Sequence, residues 1–260
     1  KLLSLSGTPF NILTDYDENS IYTWDYIMEQ ESKSEWDKLH FGDHNPYDEL
    51  PELRIYTYSL GDILKNSHYI TFEDKAFNFH EFFRTFTGDF SVDYADMPQG
   101  TDIGDFVHEA DVWSFLNLMT VEDDNSQYPY SNEEYRSLFK HSLWIVPGVR
   151  EAKALKKLML KHPVFGNGMF DIVNVAGSGD EEEKALSKVK RAINKAKKND
   201  TYTITLSCGK LTTGVTIKEW TAVFMLAGSF STSAANYLQT IFRVQSPCNE
   251  DGKIKETAYV

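Results

Sequence analysis

The stretch from Tyr202 to Ser246 constrains the fold more than any other part of the chain. A β-branched run, Tyr202 to Leu206, precedes the polar segment Leu211-Thr212-Thr213-Gly214-Val215-Thr216 and a second apolar run, Ala222 to Leu226. Ser233 to Gln245 then sets Tyr237, Leu238, Ile241 and Phe242 at helical spacing and carries one cation, Arg243. Strand, hydroxyl-rich loop, strand and helix in that order predict an α/β unit. Hydroxyls and a glycine at a strand end, backed by a single arginine, suit the binding of phosphate oxygens.

The preceding residues extend the pattern. Ser142 to Pro147 reads as a strand, and Arg150 to Leu160 as a helix whose Leu155, Leu158 and Met159 oppose Lys153, Lys156 and Lys157. A strand at Asp171 to Ala176 leads to Gly177-Ser178-Gly179. Asp180 with Glu183 forms a capping box for a helix to about Lys198. Alternating strands and helices imply a parallel sheet with right-handed crossovers. Functional loops then belong at the carboxyl ends of the strands, at Pro147, Gly177, Thr212 to Thr216 and Gly228. The glycine pair lacks the third glycine of a dinucleotide fingerprint and reads as a plain turn.

Taken in order, these segments resemble the later motifs of superfamily-two helicases and DNA translocases. Leu2 to Phe10, LLSLSGTPF, reads as a strand ending in Ser6-Gly7-Thr8-Pro9, which is similar to the motif closing the first RecA-like domain. Leu143 to Pro147 resembles the strand opening the second, Leu211 to Thr216 the "TTG" motif, and Gln239 to Arg243 the final Q-x-x-x-R motif. Within the superfamily the likeness is to large bacterial restriction-type helicases. It covers Lys1 to Phe10 and about Lys140 to Cys248.

The resemblance implies an α/β fold, a RecA-like parallel sheet flanked by helices, with an acidic, mostly helical insertion. Residues 1–10 would end the first RecA-like domain, 11–139 form the acidic linker and insertion, 140–248 the second domain and 249–260 a tail. Arg243 would be the arginine finger and Gln239 its partner, with Gly214 and Thr216 also at the nucleotide. Lys210, Thr212 and Thr213 would touch the DNA backbone, and Ser6, Gly7 and Thr8 would couple the domains. ATP and Mg²⁺ would serve the complete protein. The phosphate loop and Mg²⁺ carboxylates would come from an upstream domain, so this part alone is expected to be inactive. A nuclease or methylase domain or subunit is a further implied partner. Ser246 stands where the family often has a second arginine.

Composition separates two chemically different pieces. Residues 1–140 hold 9 Lys and Arg against 28 Asp and Glu, whereas 141–260 hold 17 against 11. The first would repel a polyanion and the second could meet one. Cys208, on an expected strand, and Cys248, in the expected tail, support neither a disulfide framework nor a zinc site. No apolar run reaches the roughly 18 residues of a membrane span, and no leader stands at the start, so a cytoplasmic protein is expected. Lys1 opens inside an apolar run without an initiator Met, as in a piece of a longer protein.

Between the motifs, helical pieces are expected in 11–40, at Asn78 to Phe86 and at Asp111 to Met119, and a strand at Arg54 to Leu60. His40, Asp43 and His44, and likewise Glu73 and Lys75, read as chance groupings in an acidic segment. Two other functions stay open: a non-catalytic protein-interaction module whose acidic half docks a partner, and an unrelated phosphate-binding α/β enzyme.

Overall fold

The computed structural model describes residues 4–9, 13–58, 77–89, 100–122, 126, 128–177, 182–212, 215–227, 234–250 and 252–260. Its elements are α1 (Tyr26–Leu39), β1 (Glu52–Arg54), α2 (Phe79–Phe82), α3 (Glu109–Thr120), α4 (Glu133–Leu138), β2 (His141–Ile145), α5 (Val149–Lys161), β3 (Phe170–Asn174), α6 (Glu182–Asn199), β4 (Tyr202–Ser207), β5 (Ala222–Met225), α7 (Ala234–Ile241), β6 (Asn249–Glu250), β7 (Lys253–Ile254) and β8 (Thr257–Tyr259). Six strands form one sheet in the order β1-β8-β5-β2-β4-β3, and every pairing in it is parallel. The architecture is α/β, a parallel sheet flanked by helices.

β2 sits near the middle, and all five of its residues are buried. From it the chain steps out to the edge strand β3 through α5, then back to β4 through α6. Right-handed crossovers in opposite directions put those helices on opposite faces. The two cores agree: Leu155, Leu158 and Met159 of α5 pack with Trp144, Phe170 and Ile204. Val189 and Ile193 of α6 pack with Leu143, Ile145 and Val223. The connection from β4 to β5 and the helix α7 join the α6 side, contributing Leu211, Trp220 and Ile241.

That leaves the α5 face half uncovered, and the described residues between 77 and 139 cover it. Phe82, Phe83, Phe106, Phe115, Leu116, Met119, Tyr130 and Phe139 are buried in the same core as α5. Tyr130 is fully buried, and its hydroxyl lies 3.0 Å from Ser142 Oγ on β2. The Trp144 indole N–H donates to both hydroxyls, at 3.3 Å to Tyr130 and 3.1 Å to Ser142. Burial pushes the Tyr130 phenol far above its ordinary pKa, so it remains a neutral donor.

Several boundaries differ from expectation. The Asn78 side chain caps α2 by accepting from the Glu81 N–H, but the helix ends by Phe82. Beyond it, Phe86 donates its N–H to Asp105 O and Thr85 bridges Phe106, so an antiparallel contact takes the backbone groups that a longer helix would need. Of the strand expected at Leu2 to Phe10, residues 4–6 are irregular and Gly7 and Thr8 are bends, while Leu2, Leu3 and Phe10 lie outside the described residues. The strand expected at 54–60 is not found there: β1 ends at Arg54, residues 55–58 are irregular, and 59 and 60 lie outside the described residues. β1 itself pairs with β8 inside this sheet. Residues 249–260 are not a free tail. They form the β6–β7 hairpin and β8, which lies between β1 and β5. Cys248 is buried there, and Cys208 lies just past the end of β4. After Ile241 the expected helix tightens into a 3-10 turn, Phe242–Gln245. Asp180 of the expected capping box, with Ser178, Gly179, Gly228, Ser233, Glu73 and Lys75, lies outside the described residues. Among the described residues no helix is long and apolar enough to cross a membrane.

Replacing Tyr130 with Ala removes a large fully buried ring and its hydroxyl. Urea unfolding should show a loss of about 3–5 kcal/mol, and a loss under 1 kcal/mol would mean that 77–139 is an appendage rather than core.

Candidate functional site

The chain leaves β2 toward β3 and β4 on one side and is carried to β5 and β8 on the other. The order therefore reverses at β2, where open α/β sheets form a crevice beyond the carboxyl ends of the strands. A cleft of about 390 Å³ lies there. Pro147 follows β2, Cys208 and Thr212 follow β4, Ala227 follows β5, and Thr240 comes from α7. His80 of α2 completes one wall, although its neighbours Phe82 and Phe83 belong to the core.

The loop after β4 is tightly built. Ser207 Oγ donates to Lys210 O at 2.6 Å, and Thr212 Oγ1 donates to Gly209 O at 2.6 Å. Leu211 has a φ of +63° with its side chain fully buried. A leucine in the left-handed region costs about 1–3 kcal/mol and persists only where its surroundings over-determine it. Here the buried side chain anchors one side of the turn, and Arg243 holds the other. Arg243 Nε donates to Thr212 O at 2.8 Å and to Gln239 O at 3.2 Å, and Nη1 donates to Val215 O at 2.7 Å. Burial lowers the Arg243 pKa. Its hydrogen-bond partners among the described residues are carbonyls, and a guanidinium without a carboxylate is suited to an added anion.

Gln239, one turn earlier, donates from Nε2 to Thr8 Oγ1 at 2.8 Å, and the Thr8 N–H donates to Ser6 Oγ at 3.2 Å. The structure thus brings together Thr8, Gln239, Arg243 and Thr212, from three distant parts of the sequence. Lys210 lies on the same loop, Gly7 is exposed beside Thr8, and Thr216 is exposed beyond Val215. Thr213 and Gly214 lie outside the described residues. Ser246 touches the main chain of Arg243 through a long 3.5 Å bond.

The cleft's Cys208 wall feels the negative charge of Glu151. Gly148 caps α5, and a side chain there would collide with the Glu151 carboxylate, which folds back over the helix start. Thr85 Oγ1 holds that carboxylate at 3.2 Å. Burial, and then Glu151, keep the Cys208 thiol above its ordinary pKa, so it is a poor nucleophile. Nothing in the sequence pattern joined His80 to this crevice or Thr85 to Glu151. The dipeptide Cys208-Gly209 at a strand end was the available signal for the cysteine.

A second cleft, of about 540 Å³, lies at the amino ends of the strands among His141, Lys197, Cys248 and Lys255. Its groups are occupied structurally. Lys197 bridges Glu219 and Glu250, and Lys255 donates to the carbonyls of Lys218 and Trp220, its pKa lowered by burial to about 8. His141, bonded through Nδ1 to Thr203 Oγ1, is lowered by burial and then by Lys197 and Lys140 to about 4.

No protein-family model matches the chain. Over 269 aligned positions covering the whole chain, it is 31% identical to a protein of Mycoplasma pneumoniae provisionally named the C-terminus of a type II restriction enzyme and methyltransferase. The chain spans 36% of that relative's length. It is therefore related to part of a protein named for restriction and modification.

The neutral His141 makes stability depend on pH. Its folded pKa lies below the unfolded value, so its contribution is complete above about 6.5 and is lost as pH falls toward about 4. Melting temperature should drop across that window, and His141→Asn should flatten the profile there. An equally steep profile in the variant would refute the assignment.

Proposed function

We propose that this chain is the part of an ATP-dependent DNA helicase or translocase, in a restriction–modification system, that supplies the arginine finger and contacts the DNA backbone. The observation that carries the reading is the hydrogen-bonded convergence of Thr8, Gln239, Arg243 and Thr212 at the carboxyl ends of the strands. Relatedness over the full chain to a protein named as a restriction enzyme and methyltransferase supports the setting. On this reading residues 140–248 are a second RecA-like domain, and DNA, an upstream RecA-like domain and a nuclease or methylase are its partners.

The chemistry that ATP supplies is cleavage of its terminal phosphoanhydride with Mg²⁺, both held by the upstream domain. Arg243 fits a share in it: a desolvated guanidinium bonded to carbonyls can trade them for more basic phosphate oxygens. Doing so withdraws donors from Thr212 and Val215 and frees the strained turn at Leu211. Gln239 ties the same helix to Thr8, where the preceding domain would attach. Arg243 thereby links nucleotide state to the loop whose hydroxyls and main chain, with Lys210, meet the DNA backbone without reading bases.

A second reading, a protein-interaction module, is favoured by the exposed Tyr22 and Phe41, which are 82% and 98% accessible. The two readings part at Arg243. In the intact parent protein, Arg243→Ala should lower kcat by about 10³ to 10⁵, with ATP affinity much less affected. Melting temperature measured on the same variant corrects for the lost loop clamp. A kcat per folded molecule within a few-fold of wild type would remove the finger role.

A further inference from the structure

The fold sorts charge by face. The described residues between 77 and 139, with 9 Asp and Glu against 2 Arg, pack on the α5 side of the sheet. There they engage the basic helix beneath them: Lys157 of α5 donates to both carboxylate oxygens of Asp105, at 2.7 and 2.9 Å. α6 lies on the other face. Its Lys184, Lys188, Arg191, Lys195 and Lys198 are all exposed and follow one another at steps of four and three residues. They form a single row about 21 Å long on a rigid helix, while Ala185, Val189, Ile193 and Ala196 are buried in the core. Lys195 makes a loose 3.4 Å pair with Asp171 while remaining 69% exposed. Lys197 faces elsewhere, bracing the helix against Glu219 and Glu250.

Like charges three and four apart repel along a helix, so five of them in one exposed row concentrate positive potential on that face. A rigid line of cations at one-turn spacing complements a rigid line of phosphates. It also faces away from the acidic layer that would repel a polyanion.

We infer that the α6 row Lys184, Lys188, Arg191, Lys195 and Lys198 is a second DNA-backbone surface, separate from the loop after β4. It rests on the proposed function only for the choice of DNA as the polyanion. Contact to the backbone makes it indifferent to base sequence. A duplex held there lies along the α6 face, so the protein would grip DNA at the strand ends and again beside them.

The test is anisotropy of a labelled mixed-sequence duplex titrated with the 260-residue chain at several salt concentrations. Each neutralised phosphate contributes about −0.9 to the slope of log K against log salt. The triple variant Lys188→Ala, Arg191→Ala, Lys195→Ala should therefore bind more weakly at low salt and lose up to about 2.7 of the slope. These exposed changes should leave melting unchanged, and Lys188→Arg with Lys195→Arg should retain the wild-type slope. An unchanged slope in the triple variant overturns the inference, and loss on Lys210→Ala would then leave only the loop contact standing. Absence of any salt-dependent binding by wild type also overturns it, while the Arg243 role is judged by kcat alone. Competition by poly-glutamate equal to that by duplex DNA would reassign the row to an acidic protein segment.

Discussion

A parallel sheet has no face that it can leave in water, and most of this structure follows from that constraint. β2, buried at all five residues and flanked by parallel neighbours, cannot be reached by a hairpin. Crossovers of one hand then assign α5 and α6 to opposite faces. One helix cannot cover a face of six strands, and the deficit is met by the aromatic residues of the acidic segment. The Tyr130–Ser142–Trp144 group joins that segment to the central strand through hydrogen bonds that leave no member of the trio unpaired. The half-buried carboxylates of this layer are paired: Asp105 with Lys157 of α5, and Glu81 with Arg84 and His108 of the layer itself.

The same topology explains why the candidate site lies where it does. Reversal of strand order at β2 separates the loops after β2 and β5, and the loop after β4 borders the resulting crevice. Leu211 stores backbone strain there, and the carbonyls that Arg243 holds restrain the turn. On the proposed reading the guanidinium would be a coupling element, because an anion that attracts it would also change the loop it holds. At the amino ends of the strands the charged groups are engaged with one another and with carbonyls, as structural groups are.

Much of this was legible in the residues. Runs such as Ser142 to Pro147 and Tyr202 to Ser207, and the stripes on α5 and α6, carry periodicity over enough residues to define an element. The helix bearing Gln239 was legible from its apolar spacing, but not the 3-10 turn that carries Arg243, nor the contacts of Gln239 with Thr8 and of Arg243 with the Thr212 carbonyl. β1 and β8 were not legible, because strands of three residues carry no period and owe their existence to each other and to β5. The role of 77–139 as a core layer was hidden by its aspartates. Phe82, Phe83, Phe106 and Phe115 follow no single helical or strand repeat, since short pieces and a bridge present them. His80 reaches the crevice through that same layer, and Thr85 of the layer holds Glu151, so no local pattern could have named them.

The central claim is that Arg243 links nucleotide state to the loop after β4. Amide hydrogen exchange on the intact parent protein, with and without a non-hydrolysable ATP analogue and without DNA, tests it most directly. Transfer of the guanidinium to phosphate should release the carbonyls of Thr212 and Val215, so exchange across 209–217 should quicken while β3 and α6 stay unchanged. Identical exchange across that loop at saturating nucleotide would contradict the account.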